Sequence, residues 1–218
     1  MMTKGFVLLT AVALLPNMAL AAEYNLGQLA RSNKIEVFNR TLVQTKAEGP
    51  EVAFLSSGAN YGVAWITDVD FSNGTIEMEI KGRNEPGQSF VGIAFHGQDN
   101  GTLDAVYLRP FNFQAPEPDH RNHAIQYISL PKYDWSDLRK NYPGKYEAAL
   151  IPAPAPESWV NLKLVIENKS VFAFVNEMAK PVLSVELLND RHNGKLGLWV
   201  GNGSVGAFRN LKISPAPK

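Results

Sequence analysis

The 218-residue chain has no cysteine. Disulfides, thiol nucleophiles, iron–sulfur clusters and Cys-ligated zinc are therefore excluded, and the fold must rest on its core. Neither sign of charge is in excess, since 21 Lys and Arg balance 21 Asp and Glu. A broad nucleic-acid footprint needs a basic face, so this balance argues against one. Charged residues are sparse at 19%, while apolar residues reach 45%, too many for a disordered chain. The body lacks a convincing long helix, an internal repeat, a nucleophile elbow, a P-loop and a dinucleotide-binding glycine pattern. One domain of this length can bury a sizeable core.

What is present begins with a leader. Lys4 supplies a short basic start, residues 6–15 form an apolar run, and Ala19, Leu20 and Ala21 make a small-x-small cleavage site. This pattern predicts a secretory signal peptide over residues 1–21, with an apolar run too short for a permanent membrane span. The mature chain, 22–218, then reads as a single domain without a membrane span. Export without cysteine suits a bacterial periplasmic or extracellular protein.

Downstream, the chain reads as strands from end to end. In 75–81, Ile76, Met78 and Ile80 alternate with Glu77, Glu79 and Lys81, which marks a strand with one wet face. Leu162, Leu164 and Ile166 repeat the pattern in 160–167, and Leu183, Val185 and Leu187 repeat it further on. Residues 90–95 are almost all apolar, as in a strand covered on both faces. Asn-Gly pairs at 73–74, 100–101, 193–194 and 202–203 lie between or beside these runs. Such pairs tolerate positive φ and are strong hairpin signals. About a dozen short strands imply an antiparallel sandwich or barrel. Segments 109–123, 130–145 and 152–158 read as loops, where a rigid sandwich usually carries its function.

Two stretches carry a family resemblance. Residues 194–201 followed by 206–213, ending Phe208-Arg209-Asn210-Leu211, resemble the closing strands of concanavalin A-like jelly rolls. The nearest groups are the laminin G-like domains and the 3-keto-disaccharide hydrolase-like domains, and the pairing of 74–80 with 89–95 is similar too. The resemblance spans roughly 35–213. It implies an all-β, two-sheet antiparallel jelly-roll sandwich whose concave face or edge loops often bind glycans. It does not by itself imply an enzyme.

The aromatic and polar central stretch is the predicted site. Tyr107 and Arg109 share one face of a strand, and Asn112 follows in the loop. Arg121, His123, Gln126, Tyr127 and Trp135 come next. Sugars stack their C–H faces on rings and offer hydroxyls to planar donors and acceptors. Arg109 inside an apolar strand is costly to bury unpaired. It is expected to line a wet cleft, the alternative being an ion pair with Asp104 or Asp119. Gln126 and Tyr127 must point to opposite faces, and only one of them can join Tyr107. Trp159 and Trp199, within strands, read as core.

Catalytic signals are thin. Glu77 and Glu79 approach the carboxylate spacing of retaining glucanases, yet a solvated outer face explains them better. Arg109, His123, Gln126 and Tyr127 supply the residue types of a uronate lyase without its strand motifs. No cofactor is expected apart from a structural calcium, for which Asp68, Asp70, Asp99 and Asp104 are candidates whose simpler role is turn chemistry. The leading expectation is a secreted, lectin-like protein that binds an oligo- or polysaccharide. A glycoside hydrolase or polysaccharide lyase, and a structural or interaction module of the envelope, are the alternatives.

Overall fold

A computed structural model describes residues 21–43 and 48–216. The leader predicted over 1–21 lies outside these residues, apart from Ala21. The chain opens with β1 (Ala22–Tyr24), α1 (Leu26–Arg31), β2 (Ile35–Phe38), β3 (Leu42–Val43) and β4 (Ala53–Leu55). Long strands follow: β5 (Gly62–Phe71), β6 (Gly74–Lys81), β7 (Val91–Gly97) and β8 (Leu103–Leu108). A 3-10 turn at Pro110–Asn112 and α2 (Pro118–Arg121) lead to β9 (Ile125–Leu130). Then come α3 (Trp135–Asn141), β10 (Glu147–Ala148), β11 (Val160–Glu167), β12 (Ser170–Val175), β13 (Leu183–Glu186), β14 (Gly194–Val200) and β15 (Gly206–Pro215). Segments 109–123 and 130–145, expected as loops, thus carry short helical turns. Pro110 and Pro118 start the first two, where a missing N–H costs nothing, and the Asp134 carboxylate caps the third.

The strands form two antiparallel sheets. One has the order β13-β12-β11-β6-β15-β4-β3, with β1 pairing on β15 as an eighth strand. β1 and β4 bind different stretches of β15, Leu211–Ile213 and Gly206–Phe208, so the first and last strands are neighbours. The other sheet has seven strands in the order β10-β9-β8-β7-β14-β5-β2. Local turn chemistry supports the hairpins. Gly74 (φ 131°), Asn168 (φ 54°) and Gly203 (φ 70°) take the positive φ that their turns require.

The core lies between the sheets. From the eight-stranded sheet Ile76, Met78, Ile80, Leu162, Leu164 and Ile166 point inward, all at most 1% exposed. Val91, Ile93, Phe95, Val106 and Leu108 face them from the other sheet. Removing one such side chain, as in Leu162→Ala, should cost about 2–5 kcal/mol. The two sheets differ on their outer faces. Strands β6, β11 and β12 alternate buried with half-buried residues. Strands β7, β8 and β9 are buried at every position, so something covers their outer face as well.

Candidate functional site

Register assembles the site on the outer face of the seven-stranded sheet. Glu147, Gln126, Tyr107, Gly92, Trp199, Val63 and Phe38 are successive Cα partners across all seven strands. The next row contains Ala105, Ala94 and Gly197, whose small side chains leave room for large neighbours. Trp65 lies over Gly97 and Gly197, where an added Cβ would collide with its ring. Its indole N–H donates to Asn100 Oδ1 at 2.8 Å. Tyr107 stacks on Trp199 at 4.7 Å between centroids, and Trp199 on Tyr61 at 6.3 Å.

Parity separates Gln126 from Tyr127. The Gln126 amide oxygen accepts from the Tyr107 hydroxyl at 3.2 Å and from Arg109. Tyr127 points into the sandwich, where its hydroxyl donates to Asp104 Oδ1 at 2.5 Å. Asp104 is fully buried and also accepts from the Arg191 guanidinium at 2.9 Å, so it belongs to a core knot. Burial, with Asp104 beside it, pushes the Tyr127 hydroxyl well above its ordinary value.

Arg109 is sealed from water rather than lining a wet cleft; it is 4% exposed. Its guanidinium donates to the Tyr107 hydroxyl at 2.8 Å and to the His123 carbonyl at 2.9 Å. The carboxylate nearest to it is neither Asp104 nor Asp119 but Glu147, 3.9 Å away. Burial lowers its pKa, and Phe90 and Tyr107 present their rings to it at 5.7 and 4.9 Å. Packing therefore surrounds a charge that the strand pattern left ambiguous.

Glu147 is the hub that sequence reading missed. Arg139 grips it through two bonds, at 3.1 and 2.8 Å. His123 Nδ1 lies 2.7 Å from the same carboxylate. Burial works to raise the Glu147 carboxyl, but Arg139, His123 and Arg109 outweigh it and hold it below its ordinary value. No local motif marks Glu147. Only its pairing opposite Gln126 brings it here.

The remaining predicted residues have distinct places. Asn112 donates to the His123 carbonyl at 3.2 Å and so shares an acceptor with Arg109. Arg121 pins its own loop by donating to the carbonyls of Ala115 and Pro116 at 2.6 and 3.0 Å. Trp135 stands at the surface, 45% exposed, with the Arg139 guanidinium 5.2 Å from its ring centroid. The structure thus gathers Tyr107, Arg109, Asn112, His123 and Gln126 in one network and Trp135 at its rim. It leaves Arg121 in the adjoining loop and Tyr127 on the other face. Among the described residues, the buried nitrogens Gln126 Nε2 and Trp199 Nε1 of this layer have no hydrogen-bond partner, and His123 Nδ1 meets Glu147 only as an ion-pair contact.

The four candidate calcium carboxylates do not converge. Asp68 pairs with Lys34, Asp70 accepts from Asn193, Asp99 caps its own turn, and Asp104 holds Arg191. Among the described residues no group of three His, Asp or Glu side chains could hold a metal, and no helix is long and apolar enough to cross a membrane.

Comparison with known proteins adds the fold. No protein-family model and no curated sequence matches the chain. Among solved structures, a Bacillus subtilis protein with a galectin-like fold superposes with TM-score 0.62 at 14% identity, covering 94% of this chain and all of the other. The carbohydrate binding module CBM66 from Bacillus subtilis gives 0.59 at 13%, covering 93% and 100%. The exoplasmic/lumenal domain of VIP36, solved in its Ca2+/Man3GlcNAc-bound form, gives 0.56 at 9%, with 84% of each chain covered. Two antiparallel sheets, adjacent first and last strands and these superpositions together establish a concanavalin A-like jelly-roll sandwich.

Proposed function

We propose that this is an exported, glycan-recognising sandwich protein that takes an oligo- or polysaccharide at the Trp135 rim of the loops covering the outer face of its seven-stranded sheet. The observation that carries the reading is the exposed ring of Trp135 beside the Arg139 and His123 side chains, at the edge of the buried row of Glu147, Gln126, Tyr107 and Trp199. Saccharide C–H faces suit the exposed ring of Trp135, and saccharide hydroxyls suit the planar donors of Arg139 and His123. Arg109, Tyr107, Asn112 and Glu147 form the rigid base, with His123, Arg139 and Trp135 as the accessible rim. Export rests on the leader pattern of residues 1–21.

Catalysis has less support. Burial pushes the Tyr107 hydroxyl up to about 12, the wrong direction for a general base at neutral pH. Glu147 is locked by Arg139. A different alternative, an envelope interaction module, is favoured by the sealed Arg109. A glycan array run with assays for reducing ends and for unsaturated products separates the three. The glycan reading expects binding without product, and Trp135→Ala should weaken it about tenfold or more with an unchanged melting temperature. An array without a binder leaves the interaction module standing.

A further inference from the structure

The short helix α3 carries two exposed rings. Trp135 opens the helix and Tyr142 caps its far end, seven positions later. Seven residues make about two turns, so the two rings share one side of the helix, about 10 Å apart. Trp135 is 45% and Tyr142 40% exposed, whereas Leu138 between them is buried and anchors the helix against β9. Arg139, one turn after Trp135, ties the same side to Glu147 at 3.1 and 2.8 Å. Two fixed rings at this separation suit successive sugars of an extended chain, one face on each ring, rather than a single sugar.

The charges around the rings narrow the occupant. Gly144, at φ 72°, turns the chain so that the Lys145 N–H donates to the Tyr142 carbonyl at 3.1 Å. The Lys145 ammonium then lies 5.9 Å from the Tyr142 ring centroid. Lys132 sits in a tight bridge whose ends, Ser129 and Tyr133, exchange backbone bonds at 2.9 and 2.8 Å. Its ammonium is 4.9 Å from the Tyr133 centroid, and Tyr133 and, more weakly, Tyr142 raise its pKa. Lys34, Lys81, Lys169, Lys195 and Lys212 each have a carboxylate within 3.6 Å. Among the described residues, neither Lys132 nor Lys145 has one. The nearby acids are committed elsewhere. Glu147 holds Arg139, and Asp134 accepts from the Trp135 N–H at 2.7 Å. Asp137 projects about 200° round the helix from Trp135, on the side of Lys140.

We infer that the Trp135–Tyr142 side of α3 takes an acidic polysaccharide, an extended uronate chain whose sugar faces lie on the two rings and whose carboxylates pair with Lys132 and Lys145. The inference rests on the reading of Trp135 as a glycan-binding rim and adds the charge and the length of the ligand. A neutral chain would leave both ammonium groups unused, and a polyanion without C–H faces would leave both rings unused. The chain as a whole is neutral, so the attraction is local to this side of α3.

Calorimetric titration of the full chain tests this with an oligogalacturonate, its neutral methyl ester and phosphatidylglycerol vesicles. The acid should bind about tenfold or more tightly than the ester, and added salt should weaken it. Lys132→Gln combined with Lys145→Gln should remove that advantage without changing the melting temperature. Trp135→Ala should weaken acid and ester alike. If the ester binds as tightly as the acid and still depends on Trp135, the acidic ligand is overturned while the glycan reading stands. The inference is also overturned if the wild-type chain ignores the acid, if the double variant keeps the preference for it, or if the vesicles bind as tightly through the same lysines. The glycan array then decides the broader reading separately.

Discussion

The outer faces of the two sheets treat charge in opposite ways. On the seven-stranded sheet, Arg109 and Glu147 have side chains only 5% and 4% exposed, and every remaining bond of the pair goes to protein. On the eight-stranded sheet, Arg209 and Glu79 keep 27% and 28% of their side chains in contact with solvent beside an open groove. The first pair is surrounded by loops 109–123 and 131–146, whereas the second has water as a partner. Burial raises the penalty for breaking an ion pair, because the charge left behind has nowhere to be hydrated. Charged residues on the same fold thus act as a structural knot in one place and as a wettable surface in another.

The largest test of this contrast is a matched pair of substitutions. Arg109→Met should lose about 1.5–3 kcal/mol in denaturant unfolding, since it takes the charged donor from the buried Tyr107, Gln126 and His123 oxygens while Glu147 keeps Arg139 and His123. Arg209→Met should lose less than about 1 kcal/mol, as for an exposed pair. Equal losses would erase the distinction. Next comes Gly92→Ala, between Tyr107 and Trp199 in the register row. Its methyl would meet the Val106 carbonyl and the Tyr107 backbone, so overpacking should cost about 1–3 kcal/mol. Thermal melting of the variant checks it.

The smallest effect is a dependence on pH. His96 is 1% exposed, with Nε2 2.7 Å from the Ser72 carbonyl and Nδ1 unpartnered, and burial pushes its pKa down. The unfolded chain takes up a proton below about pH 6.5 that the folded chain refuses. Stability should therefore fall as pH drops below that value, until the lower folded value is reached. His96→Asn, which tolerates the φ of 50° there, should flatten this part of the curve. Glu147 adds a second decline at more acid pH. Its depressed carboxyl contributes stability above about pH 4.3 that is lost as pH falls through the lower folded value.

Much of the sandwich was legible in the residues. The alternation in 75–81 and 160–167 matches β6 and β11, and the apolar run at 90–95 lies largely in the doubly covered β7. That alternation also contained a correction to one expectation. If Leu162 and Leu164 point inward, Trp159 and Asn161 must point outward, and Trp159 indeed lines the groove instead of the core. Trp199 is buried as expected, 5% exposed, but on the outer face against Tyr107. The charge environment of Arg109 was not legible, because its partner stands 38 positions away on a two-residue strand without a motif.

Period-two patterning, Asn-Gly turns and a cysteine-free apolar core are local properties, so the chain alone determined that it would be an antiparallel sandwich. Which charges are buried is a long-range property. Glu147 reaches Arg109 only because β10 pairs with β9 in one register. Solvation depends on what covers a side chain, and the cover comes from segments distant in sequence, so that decision belonged to the tertiary structure.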